Sequence, residues 1–241
     1  MNKKTGSILI ILIVGAIFTF ASQRAIDSNV EFYLYKLFEM IGVVAISGIF
    51  IISVYLGEEL KNTLIYSFGK IFLALVAFKF LYILNLEKDV VNGLKGLQPL
   101  VFLNIFSKLL IIYSLIFSVV GKKKLKNIFS KAWMWINIIL IMVSLLIFVK
   151  VKNAQSPVFL LSQTSSTSLY TFSEFLIIMG IAILLYMSYK NFYFKHTKSF
   201  QVFILLFAGG EAILLLFKRK GVLFSEALQN AAMLYLFIAI F

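Results

Sequence analysis

The sequence predicts an all-α fold: a polytopic transmembrane bundle of about eight helices, with both termini on the cytoplasmic side. Three observations carry this. Of the 241 residues, 61% are hydrophobic, well above the roughly 45–50% of a soluble globular chain. Apolar stretches of spanning length, about 18 residues or more, follow one another along the whole chain. Lys and Arg collect in the short segments between them. No polar segment is long enough for a separate soluble domain, so residues 1–241 read as one domain.

The first span, 6–23, is the shortest and follows Lys3 and Lys4. It reads as an uncleaved helix. The alternative is a signal peptide, with an apolar core from Ile8 to Phe20 ahead of Ala21 and Ser22. The second span, 32–56, carries Lys36 and Glu39, three residues apart and so on one helix face. The third, 62–86, carries Lys70 near its inner end, where it is expected to snorkel, and Lys79 deeper, with Tyr82 one turn on. The fourth, 99–120, places Asn104, Ser107, Lys108, Ser114 and Ser118 along one face. That face should meet other helices or water.

The fifth span, 128–150, follows the densest basic cluster, Lys122 to Lys131, which sets the orientation; Trp133, Trp135 and Tyr170 suit interfacial positions. The sixth, 171–190, opens on Thr171-Phe-Ser-Glu174, which has capping-box spacing. Here Glu174 would reach back to the N-cap amide. The seventh, 199–217, contains Gly209-Gly210-Glu211, where the small residues allow close helix approach. The eighth, 222–241, is still apolar at Phe241. Two outer connections are long: Leu86 to Gln98, and Val151 to Tyr170 with its Ser/Thr-rich run. No internal repeat is visible.

The chain has no cysteine and one histidine, His196. Disulfides, thiolate chemistry, bis-His haem and multi-His zinc are excluded. The net charge of +13 lies in loops and at helix ends, because three deep carboxylates (Glu39, Glu174, Glu211) balance three deep amines (Lys70, Lys79, Lys108). Its partner is anionic lipid, not nucleic acid. Motifs of metalloproteases, serine hydrolases and phosphate-binding loops are missing, and Glu58-Glu59 lacks the Arg of an intramembrane metalloprotease. No catalytic role is expected, and no cofactor is indicated.

A carboxylate at mid-membrane costs about 2.5–3.5 kcal/mol on insertion scales, so it faces a partner or a cavity. Glu211 is the clearest such residue. It reads as an acid poised against a ligand, proton or cation, or as one half of an ion pair with Lys79 or Lys108, or as a protonated carboxyl.

Several segments resemble a known family. They are Leu37-Phe38-Glu39, Leu64-Ile-Tyr-Ser-Phe-Gly69, Phe172-Ser-Glu174, Glu211 and Ser225. Their order and spacing over 32–241 are similar to the third type of membrane-associated sensor domain, found at the N-terminus of bacterial and archaeal histidine kinases and diguanylate cyclases. The resemblance implies a sensory input domain in a bacterial or archaeal cell membrane. It would detect a small or membrane-associated signal and pass a helix movement to a cytoplasmic signalling domain in the same polypeptide, following the eighth helix. A second copy of the chain is a further partner to expect. The resemblance makes Glu39, Glu174 and Glu211 candidate signalling residues. Tyr82 and Asn230 join them because they stand where the family usually carries histidines; a metal or proton role of those histidines does not carry over. Lys79 and Lys108 are candidates from their depth alone. The competing readings are a small permease or transporter subunit, with Glu211 and the polar fourth helix lining a path, and a structural assembly partner.

Overall fold

The computed structural model describes residues 28–55, 69–86, 94–120, 123–154, 156–160, 166–189, 197–217 and 222–240. Among these, seven α-helices account for nearly all the chain: α1 Ser28–Tyr55, α2 Phe72–Asn85, α3 Leu94–Val120, α4 Lys123–Lys152, α5 Ser168–Tyr189, α6 Thr197–Phe217 and α7 Val222–Ile240. A 3-10 turn, Gly69–Ile71, leads into α2. Seven of the predicted spans coincide with these helices. The first, 6–23, lies outside the described residues, as do Glu58 and Glu59.

Within α1, α3, α4 and α5 lie stretches long and apolar enough to cross a membrane: Phe32–Tyr55, Leu97–Phe117, Ala132–Lys152 and Ser168–Tyr189. This fits a multi-pass membrane protein. Helices suit that setting because each backbone group is satisfied within its own segment, where lipid offers no partner. α4 has the inside-out pattern such a setting produces. Trp135, Ile139, Met142 and Leu146 are exposed, whereas Asn137 and Ser144 are buried.

The chain divides into two compact units. The larger is Ile46–Tyr186. Its core includes an aromatic chain: Phe78 of α2 meets Phe106 of α3 edge-on at 5.2 Å, and Phe102 lies 5.6 Å from Phe106 and 6.2 Å from Phe159. Asn137 of α4 holds the entry to α2. Its Nδ2 donates to the carbonyls of Lys70 (2.8 Å) and Trp133 (2.7 Å), and its Oδ1 accepts from the Ala74 amide (2.8 Å). Two of these groups belong to the 3-10-to-α junction, where a helix start leaves backbone groups unmet. Gly69 sits against Ser53, and a Cβ there would collide with the Ser53 hydroxyl.

α3 begins at Leu94, earlier than the predicted 99, and runs through Pro99. Pro99 is the sixth residue of this helix, beyond the first turn, so it removes one i→i−4 bond from the ladder. Gln98 ties this end to the connection before α5. It accepts from the amides of Phe159 (2.7 Å) and Leu160 (3.1 Å) and donates to the Leu160 carbonyl (2.7 Å). Leu160 and Ser166 form an isolated antiparallel bridge.

The smaller unit combines Met1–Ala45 with Met187–Phe241, so it holds the first part of α1, the end of α5, and α6 and α7. Phe203, Ile204 and Phe207 of α6 and Ala232, Met233 and Leu236 of α7 are buried in it.

Candidate functional site

Among the described residues of the smaller unit, six polar side chains are 4% exposed or less: Glu39 (0%), Glu211 (2%), Ser225 (0%), Glu226 (1%), Gln229 (4%) and Asn230 (2%). They come from three helices. Polar groups buried among apolar helices persist when they are hydrogen-bonded, and the bonds here follow a pattern.

Gln229 of α7 donates its Nε2 to Glu211 Oε1 of α6 at 2.6 Å and lies 3.4 Å from Ser225 Oγ. Gly210 makes room for this. A Cβ on Gly210 would stand 2.9 Å from Gln229 Cγ and 2.9 Å from the Ser225 carbonyl oxygen. The small residue therefore brings the α6 and α7 backbones together beside the acid. The next residue, Asn230, donates its Nδ2 to Glu39 Oε1 of α1 at 3.4 Å. Gly42, one turn beyond Glu39 on the same face, lies under the Asn230 amide, and a Cβ there would collide with Oδ1 and Cγ. Glu39 and Glu211 thus each have an amide from α7 and a glycine beneath that amide.

The structure brings Glu39, Glu211 and Asn230, three of the predicted site residues, into this unit. Gln229 and Glu226 were missed. Both lie within an apolar span, which is the signal that should have identified them.

The remaining predicted residues, Lys79, Tyr82, Lys108 and Glu174, are in the larger unit and are all buried. Lys79 Nζ lies 5.6 Å from the centroid of the Tyr82 ring, within cation–π range. On the polar face of α3, Ser107, Lys108 and Ser114 are buried, but the two hydroxyls turn to their own helix. Ser107 Oγ donates to the Leu103 carbonyl and Ser114 Oγ to the Ile111 carbonyl. Their hydrogens are committed to the backbone.

Two expectations are corrected here. Lys70 does not snorkel outward; it is buried, with Nζ 5.9 Å from the Trp133 ring centroid. The 3-10 turn it sits in alters its direction relative to a continuous helix. Thr171 is not the N-cap of α5 and Glu174 does not close a capping box. The helix begins at Ser168, and Thr167 caps it: its Oγ1 accepts from the Tyr170 amide at 3.3 Å. Glu174 therefore stands well inside the helix, on a buried face.

Among the described residues no three acidic or histidine side chains are placed to hold a metal ion. The unit holding α6 and α7 offers carboxyl–amide pairs, which can exchange hydrogen-bond partners or take up a proton. No protein-family model, no curated protein and no solved structure matches this chain.

Proposed function

We propose that this chain is a sensory input module of a bacterial or archaeal cell membrane. Its bundle would shift between two arrangements on detecting a small or membrane-associated signal and pass the movement through α7 to a cytoplasmic output, a histidine kinase or diguanylate cyclase. One observation carries the reading. Glu39, Glu211, Ser225 and Asn230, four of the positions picked out by resemblance and drawn from three separate helices, are all buried in one unit, while Tyr82 and Glu174 lie in the other. There, Asn230 donates to Glu39, and Gln229, on the same helix, donates to Glu211.

Buried polar contacts between helices suit a switch. They specify one arrangement, yet each can be exchanged for another partner. A signal shifts such an equilibrium only by its differential affinity for the two arrangements. In this reading both termini of the bundle are cytoplasmic.

A chimera with a diguanylate cyclase domain placed after α7 tests the proposal. Folded Glu39→Gln and Glu211→Gln variants should alter cyclic dinucleotide output in cells. Unchanged output from both would sink it. Glu211-dependent solute flux in proteoliposomes would instead support a small permease.

A further inference from the structure

The two carboxyl–amide contacts share one helix but are not equivalent. Gln229 and Asn230 are consecutive on α7 and so point about 100° apart. One engages α6 and the other α1. The α6 contact is short, at 2.6 Å, and is backed by the close approach of Gly210 to the Ser225 carbonyl. The α1 contact, at 3.4 Å, stands near the outer limit for an N–H donor.

We infer that α6 and α7 form a prebuilt hairpin pinned at Glu211–Gln229, and that α1 is a releasable element latched onto it through Asn230, Glu39 and Gly42. The geometry gives the order of opening. A side-chain tip lies roughly 5–6 Å from its helix axis, so turning α7 by about 5° carries the tip about 0.5 Å. That movement takes the Asn230 contact beyond hydrogen-bonding distance, whereas the Gln229 contact can lengthen by several tenths of an ångström and remain a bond. Gly42 sharpens the latch, because the Asn230 amide occupies the space a side chain would take.

The dependence runs one way. The α6–α7 pin holds without the latch. The latch fails without the pin, because Asn230 is aimed at Glu39 only while Gln229 fixes the rotation of α7. The inference supplies an order of movement for the proposed sensor, and rests on that reading only in taking the α1 movement as the signal.

The absence of cysteine makes the test direct, since spin labels can be placed without removing native thiols. Met40, Leu216 and Ile238 are exposed on α1, α6 and α7. One pair of labels, at Met40→Cys and Ile238→Cys, reads the latch. A second, at Leu216→Cys and Ile238→Cys, reads the hairpin. Both are measured as distance distributions by pulsed electron paramagnetic resonance on the whole chain in nanodiscs.

Asn230→Leu and Gly42→Ala should each shift the latch distance by about 2 Å or add a second distance, the scale of helix shifts in switching proteins. Both should leave the hairpin distance in place. Gln229→Leu should shift both distances. The inference is overturned if Asn230→Leu or Gly42→Ala moves the hairpin pair, if Gln229→Leu spares the latch pair, or if no variant moves either. If Asn230→Leu does not fold, Gly42→Ala opens the same latch with one methyl group and carries the test. A chimera whose output ignores Glu39 and Glu211, together with this order of shifts, would defeat the signalling reading alone.

Discussion

Gln229 donates to Glu211 across α6 and α7 at 2.6 Å, and both side chains are buried. Replacing Gln229 by leucine removes this donor from a buried carboxyl. The cost of an unmet buried polar group is about 1–3 kcal/mol. Glu211→Gln keeps an acceptor oxygen for Gln229 and should cost less. Thermal unfolding in detergent should rank the variants as parent, Glu211→Gln, then Gln229→Leu. Equal stability of Gln229→Leu and parent would remove the energetic basis of this contact.

Gly210→Ala tests the spacing of the same two helices. In an exposed helix, Gly to Ala gains up to about 1 kcal/mol of propensity. Here the added methyl would meet a backbone oxygen, that of Ser225, at 2.9 Å. Backbone cannot step aside as a flexible side chain can, so the clash should outweigh the gain. Overpacking typically costs about 1–3 kcal/mol. A lower melting temperature for Gly210→Ala is expected, and a raised one would contradict the close approach.

The fold was legible because apolar runs of spanning length dominate the chain, and among the described residues seven predicted spans meet seven helices, six with changes of a few residues at their ends and the third, predicted from 62, with its helix from Phe72. The site was legible only in part. Glu39 and Glu211 stand out because each interrupts an apolar run, and Asn230 because the resemblance points to its position. Which of them share a unit depends on tertiary packing, and no periodicity within one helix encodes it. Gln229 and Asn137 went unnoticed because neutral amides carry no charge to flag them, although they make some of the shortest polar contacts in the structure. Lys70 was misplaced because a 3-10 turn does not keep the phase of an ideal helix.

Asn137→Leu should be among the most damaging single changes in the larger unit. It removes the acceptor for the Ala74 amide and the donor to the Lys70 and Trp133 carbonyls at a fully buried position. At about 1–3 kcal/mol for each buried group left unmet, a loss of roughly 3 kcal/mol or more is expected. Asn137→Asp keeps the acceptor and should retain more stability than leucine, measured by the same thermal assay. A leucine variant as stable as the parent would show that the junction finds its partners elsewhere.

Gln98→Ala should loosen the connection before α5 without unfolding the helices. The side chain makes three bonds to the backbone of Phe159 and Leu160, groups otherwise at the edge of an isolated bridge. Local opening draws on the free energy of those contacts alone. Hydrogen exchange should rise at Phe159 and Leu160 and stay unchanged through α4. A uniform rise across the larger unit would instead mean that Gln98 supports the whole core.

Thr167 and Thr171 offer a sharp comparison, because either could cap α5 by sequence. Thr167 Oγ1 accepts from the Tyr170 amide, the third helical residue, while donating toward the carbonyls of Val158 (2.8 Å) and Phe159 (3.1 Å). Thr171 is exposed, and its hydroxyl donates to the Thr167 carbonyl. Thr167→Val keeps the shape and removes both the cap and the tie to the preceding segment, so a loss of about 1 kcal/mol or more is expected. Thr171→Val should stay within about 0.5 kcal/mol of the parent, as exposed substitutions commonly do. Thermal unfolding of the two variants side by side measures the difference. If Thr171→Val were the more damaging, α5 would start a turn later, with Glu174 back in the capping position that the sequence pattern first suggested.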